Sequence, residues 1–149
     1  MYPTILIATD LTESSDPAVS TAIALASRLG SELVVAHVID VMAEHKNWFL
    51  PDSAAVEAVR AAITHETDTL RERLAAQMQA RGVTPTQILV RHGHPGDEIP
   101  EIAEEVGASL IVIGTHGRRG FRHAVMGSVA ERVARIAGRP VLVIPTTPA

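Results

Sequence analysis

Residues 109–117 read SLIVIGTHG, and Gly127-Ser128 follows after nine further residues. The apolar run from Ser109 to Ile113 predicts a buried strand, and the amphipathic run over 129–137 predicts a helix. Three glycines and a hydroxyl therefore fall between a strand and a helix start. Glycine lets a backbone approach a ligand closely, and a helix start offers unpaired N–H groups at the positive end of its dipole. The stretch is typical of the phosphate-binding turn of a parallel α/β protein.

The rest of the chain alternates short apolar runs with longer amphipathic ones. Strands are predicted at 4–9, 33–39, 87–90, 110–113 and 141–144, and helices at 15–29, 54–81, 97–106 and 129–137. This alternation is typical of a parallel sheet with helices on both faces. We therefore predict one domain over residues 1–149, with a doubly wound, Rossmann-like sheet of five parallel strands in the order 3-2-1-4-5.

Composition narrows the classes of function. The formal net charge of −4 argues against a nucleic-acid-binding surface. Because the chain has no cysteine, it has no disulfide, no thiol nucleophile and no cysteine-ligated metal. No apolar run approaches the length of a membrane span, and the first residues lack the pattern of a signal peptide. We expect a cytoplasmic protein that binds neither membranes nor nucleic acid.

Ligands of open α/β sheets bind beyond the carboxyl ends of the strands, where the strand order reverses. In the predicted order this crevice lies between strands one and four, so Asp10 at the end of the first faces Gly114 at the end of the other. The Asp10 carboxylate could accept hydrogen bonds from ribose hydroxyls or a base edge. The alternative is that it closes the strand as a helix cap or an Asx-turn.

Two common nucleotide motifs are absent from the sequence. There is no G-x-x-x-x-G-K-[ST] and no G-x-G-x-x-G after the first strand, which disfavours a P-loop and a dinucleotide site. Without the P-loop lysine and a water-orienting group, fast nucleotide hydrolysis is not expected.

The histidines of the second and third strands do not predict a metal site. His92 and His94 flank Gly93, but two ligands make a weak metal site without a third, so we predict no metal site of the protein's own. We interpret His37, inside the second strand, as a structural histidine hydrogen-bonded to backbone.

The chain resembles the single-domain universal stress proteins, in the subset that binds ATP. The resemblance covers essentially the whole chain and rests on ILIATDLTESS at 5–15, VVAHVID at 34–40, the G-x2-G-x9-G-S signature and RPVLVIP at 139–145. It implies an ATP-binding stress-response or regulatory module, with magnesium held through the phosphates. Because the lysine and water-orienting group of fast nucleotide hydrolases are missing, we expect no enzyme, with at most very slow ATP hydrolysis. The resemblance also implies a homodimer through Val141–Ile144, an apolar edge strand that by itself invites pairing with another chain.

The same resemblance implies a set of nucleotide-binding residues. In such proteins the aspartate after strand one contacts the nucleoside, a backbone position at the end of strand two contacts adenine, a glycine loop covers ribose and phosphates, and a helix start binds phosphate. At the matching positions these residues are Asp10, Val38, Gly114, Thr115, Gly117, Gly127, Ser128 and Val129. One departure is Ala8, where relatives often carry proline or a larger apolar residue.

Two other functions stay open at this point. A slow ATPase or nucleotidyl transferase of related fold would need a catalytic group near the phosphates, and His116 and His123 are the candidates. A dimeric scaffold with an empty cleft would need none. The connection over 40–53, with its Trp48 and Phe49, is long enough to serve as a lid or to cap the core. The sequence names no protein partner.

Overall fold

A parallel sheet forms the centre of the molecule. Within residues 1–40, 53–115 and 126–146, which the computed structural model describes, the sheet has five strands in the order β3-β2-β1-β4-β5. The neighbouring pairs are all parallel. The strands are β1 (Thr4–Ala8), β2 (Glu32–Asp40), β3 (Gln87–Gly93), β4 (Leu110–Gly114) and β5 (Val141–Ile144). The predicted fold class and strand order are confirmed.

Helices follow the strands in the described ranges. They are α1 (Asp16–Leu29), α2 (Ser53–Ala80), α3 (Pro95–Glu105) and α4 (Ser128–Ile136), and a short 3-10 turn over Glu13–Ser15 precedes α1. Pro17 lies in the first turn of α1, where its missing N–H costs no helical bond, and Gly30 ends the helix with a left-handed φ of 67°.

The strands are apolar on both faces because helices cover both. Ile5 and Ile7 of β1 share one core with buried residues of α1 and of the C-terminal half of α2. Leu6 and Ala8, which point the other way, share a second core with α3 and α4. The alternation of side chains along a strand therefore assigns each helix pair to one face, and the predicted two-sided packing is confirmed.

The predicted end of the third strand was wrong. The sequence ended it at Val90, but β3 continues to Gly93 because the last three residues of β2 pair with residues 91–93. His92 therefore lies inside a strand, opposite Ile39, rather than after it. Helix α3 begins at Pro95, two residues before the prediction. The other predicted strands and helices differ from the observed ones by at most one residue at either end.

Candidate functional site

The switch point of the sheet lies at the carboxyl ends of β1 and β4. These strands are neighbours, and their last paired residues are Ala8 and Ile113. Asp10 and Thr115 each lie two residues beyond that pair. On the other side of β1, strand β2 runs four residues past the partner of Ala8, to Asp40. The edge is therefore stepped, with a crevice above the ends of β1 and β4.

Asp10 uses its two carboxylate oxygens differently. Its Oδ1 accepts hydrogen bonds from the Thr12 backbone N–H at 2.9 Å and from the Thr12 hydroxyl at 2.6 Å. This is an Asx-turn, so the structural alternative considered for Asp10 is realised. Its Oδ2 is buried and has no hydrogen-bond partner among the residues that the structure describes. A buried acceptor without a donor is costly, so Oδ2 is the atom that a ligand would satisfy.

Hydroxyl groups hold the loop that carries Asp10. The Thr9 and Ser15 hydroxyls lie 2.9 Å apart, and the Ser15 hydroxyl donates to the Thr12 carbonyl at 2.8 Å. Leu11 adopts a left-handed φ of 66°, which is unusual for a residue other than glycine, and its N–H donates to the Thr9 hydroxyl at 3.1 Å. The Asp10 carboxylate is thus fixed by the fold before any ligand arrives.

Val38 presents backbone groups to the crevice. The Thr9 N–H donates to the Ala36 carbonyl at 3.0 Å, so the even-numbered residues of β2 direct their N–H and C=O groups towards β1. Val38 is the next residue with that orientation, but β1 has ended at Ala8. Its N–H and C=O therefore point towards the space above the end of β1, which is the crevice.

The described residues of the glycine-rich signature come together at the end of β4. The Gly127 N–H donates to the Thr115 carbonyl at 2.6 Å, so the start of α4 is tied to the residue that follows β4. Thr115 is buried, and its own N–H donates to the Ile144 carbonyl at 2.9 Å. Gly127 is the N-cap of α4, and because it has no side chain it cannot bond the free N–H groups of the first turn. The first hydrogen bond of the helix runs from the Glu131 N–H to the Gly127 carbonyl, at 3.0 Å. Among the described residues, the N–H groups of 128–130 have no backbone acceptor, so they are the open donors of this helix start.

Several predicted residues lie outside the described part of the chain. They are the signature glycine Gly117, the candidate catalytic residues His116 and His123, and residues 41–52 of the long connection, with Trp48 and Phe49. The other predicted site residues are described. Asp10 lies two residues after β1, Val38 lies in β2 two residues before its end, and Gly114 ends β4 with Thr115 directly after it. Gly127, Ser128 and Val129 form the start of α4.

The histidines behave differently from one another. His37 is buried, and its ring Nδ1 lies 2.8 Å from the Thr9 carbonyl, which confirms its interpretation as a histidine bonded to backbone. The Nε2 atom of His92 is buried without a partner among the described residues. His94 lies 3.6 Å from Asp97, which also pairs with Arg132 of α4 at 2.6 Å. Within the described ranges, no three His, Cys, Asp or Glu side chains are grouped so that they could hold a metal ion.

Arg91 of β3 and Glu105 of α3 form an ion pair that changes the pKa values of both groups. Arg91 donates to both carboxylate oxygens of Glu105, and this hydrogen bond lowers the pKa of the Glu105 carboxyl and raises that of the guanidinium. The pair joins β3 to the end of α3 and contains none of the predicted site residues. Among the helices of the described segments, none has the length and apolar character needed to cross a membrane.

Comparison with known proteins agrees with this fold. A sequence model of the universal stress protein family matches residues 1–145. The chain is 36% identical to universal stress protein G of Escherichia coli, with 97% of this chain and 99% of the relative covered. It is 28% identical to universal stress protein MJ0577 of Methanocaldococcus jannaschii, with 97% and 95% covered.

Solved structures give the same result. The structure of MJ0577 superposes with a TM-score of 0.75 at 27% identity, covering 100% of this chain and 99% of that one. A universal stress protein solved in complex with cAMP superposes with a TM-score of 0.60 at 27% identity, covering 98% of each chain.

Proposed function

The chain belongs to the universal stress protein family, and we propose that it binds ATP in the crevice above β1 and β4 and acts as a nucleotide-dependent regulatory module. One pairing carries the proposal: among the described residues, Asp10 Oδ2 is a buried acceptor without a donor, and the start of α4 has N–H donors without acceptors. A ligand that satisfies both needs hydroxyl or amine donors on one part and anionic acceptors on another. A nucleoside phosphate carries both.

The start of α4 suits the phosphates. The N–H groups of Ser128, Val129 and the residue after them precede the first helical hydrogen bond, and the helix dipole favours negative charge there. Ser128 is the first residue of α4 and is exposed, so its hydroxyl can reach a phosphate oxygen. The acidic group of the first turn, Glu131, lies 3.5 Å from Arg135, which offsets its charge.

The end of β2 suits the base. Val38 offers a backbone donor and a backbone acceptor on one edge, which matches the N1 acceptor and the N6 donor of adenine. The Asp10 carboxylate would then take the ribose hydroxyls, and the loop begun by Gly114 and Thr115, with Gly117, would pass over ribose and phosphates. The relative solved with cAMP supports an adenine nucleotide as the class of ligand.

Magnesium would enter with the nucleotide. Its ligands would be phosphate oxygens and water, which suit the octahedral preference of this ion. The cytoplasmic location stays a prediction.

Our first test is the substitution Asp10→Asn. The asparagine keeps an oxygen for the Asx-turn to Thr12 but turns the Oδ2 position into a donor, so we expect ATP and adenosine affinity to fall alike, by about 1.5–3 kcal/mol. Calorimetric titration measures the affinities, and urea denaturation is expected to show a change in stability below about 0.5 kcal/mol.

Asp16→Asn is the matched control for Asp10→Asn. It removes the same charge from an exposed position whose partner is Arg81 at 2.7 Å, so ATP affinity is expected to stay at the wild-type value. If Asp10→Asn binds ATP with wild-type affinity, Asp10 serves only to form the Asx-turn and does not contact the ligand. If the wild-type chain itself bound no adenine nucleotide, the proposal of ATP binding would fail, and the hypothesis of a scaffold with an empty cleft would replace it.

A second test examines the phosphate end through Gly127→Val and Ser128→Ala. Gly127 has φ −71° and ψ 161°, a conformation open to any residue, so valine is expected to fold normally and to act by filling the space next to the N–H groups. We expect it to abolish measurable ATP binding. Ser128→Ala removes one hydroxyl and no helix cap, so a smaller loss of roughly 1.5–3 kcal/mol is expected. Unchanged titration curves for Gly127→Val would refute the phosphate site.

A third test concerns turnover. The crevice has no P-loop lysine, so we expect bound ATP to be hydrolysed far more slowly than the enzyme median of about 10 per second. Timed product analysis with labelled ATP measures this rate. Turnover at the median rate that disappears in His116→Ala or His123→Ala would favour the enzyme over the regulatory module.

We also propose that the protein forms a homodimer through β5. This strand ends the described sheet, and all of its residues are apolar and half-buried. The Ile111 N–H donates to the Pro140 carbonyl and the Thr115 N–H to the Ile144 carbonyl. The even-numbered positions of β5 therefore face β4, and Val141 and Val143 direct their backbone groups to the open edge, where a second copy could pair in antiparallel fashion.

The fourth test follows from that orientation. Val143→Pro removes an N–H that points away from the molecule and leaves the bonds between β4 and β5 intact, so a folded monomer is the expected product. Sedimentation at tens of micromolar is expected to show a dimer for the wild type and a monomer for Val143→Pro. Val143→Ala, which keeps the N–H, is the control and should stay dimeric. A monomeric wild type would rule out the interface.

A further inference from the structure

The hydrogen bonds between β1 and β2 stop two bonds before the register would allow. If the ladder continued past the bond from the Thr9 N–H to the Ala36 carbonyl, the Val38 N–H would donate to the Thr9 carbonyl. The Leu11 N–H would then donate to the Val38 carbonyl. Neither bond is formed, although Thr9 still follows β1 directly and lies against β2.

Side chains occupy both partners that Val38 would have used. The Thr9 carbonyl lies 2.8 Å from Nδ1 of His37, and since a carbonyl only accepts, Nδ1 carries the proton and donates. The Leu11 N–H donates to the Thr9 hydroxyl at 3.1 Å instead of to a backbone carbonyl. His37 is buried, so its ring is held in place by the core around it.

We propose that His37 is a positioning residue that ends the β1–β2 ladder and thereby leaves the Val38 N–H and C=O to the ligand. The imidazole replaces the Val38 N–H as the donor to Thr9, and the Thr9 hydroxyl replaces the Val38 carbonyl as the acceptor from Leu11. The role of His37 in reading the base rests on the proposed function, but its effect on the Val38 amide does not. His37 itself touches no ligand.

The first measurement is residue-resolved hydrogen exchange in the protein without nucleotide. The Val38 amide is expected to exchange faster than that of Val34, which has the same orientation inside the ladder. In His37→Leu the Thr9 carbonyl loses its donor and can take the Val38 N–H, so the ratio of the Val38 to the Val34 rate should fall about tenfold. His37→Asn places an amide N–H near the position of Nδ1 and should keep the wild-type ratio.

The wild type alone also tests the proposal, in case His37→Leu fails to fold. Long-range proton–nitrogen NMR correlation is expected to show His37 protonated on Nδ1. An unprotonated Nδ1, or a Val38 amide as protected as that of Val34, would overturn the role of His37. A folded His37→Leu with an unchanged exchange ratio would overturn it as well.

The second measurement compares ATP with inosine triphosphate, whose N1 and O6 reverse the donor and acceptor of adenine. For the wild type we expect ATP to bind more tightly. In His37→Leu the preference should shrink about tenfold while inosine triphosphate affinity stays constant, and His37→Asn should restore it. Loss of both ligands in equal measure would indicate a merely structural role. If the wild type binds neither, the proposed function fails, and the exchange ratios still decide the role of His37.

Discussion

The crevice exists because neighbouring strands of one sheet end at different heights. Strand β1 stops at Ala8 and β4 at Gly114, whereas β2 runs on to Asp40. An early end normally leaves backbone N–H and C=O groups without partners, which a fold tolerates only where something else satisfies them. Here the Thr9 carbonyl has the ring of His37, and the Leu11 N–H has the Thr9 hydroxyl. The backbone groups left without a partner in this ladder are therefore the N–H and C=O of Val38, at the rim of the crevice.

The charges around this rim differ from one end to the other. On the β1 side an acceptor, Asp10 Oδ2, is buried without a donor among the described residues, and on the β4 side the start of α4 offers donors without acceptors. A simple anion would satisfy α4 but would be repelled by the carboxylate, and a cation would do the reverse. A molecule that is neutral and rich in hydroxyls at one end and anionic at the other is complementary to both. This asymmetry supports a nucleotide rather than free phosphate.

The sequence predicted the fold well because the apolar runs and the glycines that end helices are local signals. It placed the end of β3 wrongly because residues 91–93, RHG, carry no apolar pattern and become a strand only by pairing with β2. For Asp10 it offered two alternatives: the structure shows the Asx-turn at Oδ1, and contact between Oδ2 and a ligand stays a proposal. Val38 came from family resemblance alone, since the direction of its backbone groups depends on strand register. The assignment of Gly117 stays a prediction.

Thr115 connects the two surfaces for which functions are proposed. Its carbonyl accepts from Gly127 at the start of α4, its N–H donates to Ile144 of β5, and its hydroxyl accepts from the Thr146 N–H at 3.0 Å. A ligand that orders the start of α4 and a partner that pairs with β5 would therefore act on the same buried residue. If both events occur, any effect of nucleotide on dimer affinity must be matched by an equal effect of dimerisation on nucleotide affinity. A short, fully bonded connection of this kind is a physical route by which nucleotide binding could reach the edge of the sheet without a large rearrangement.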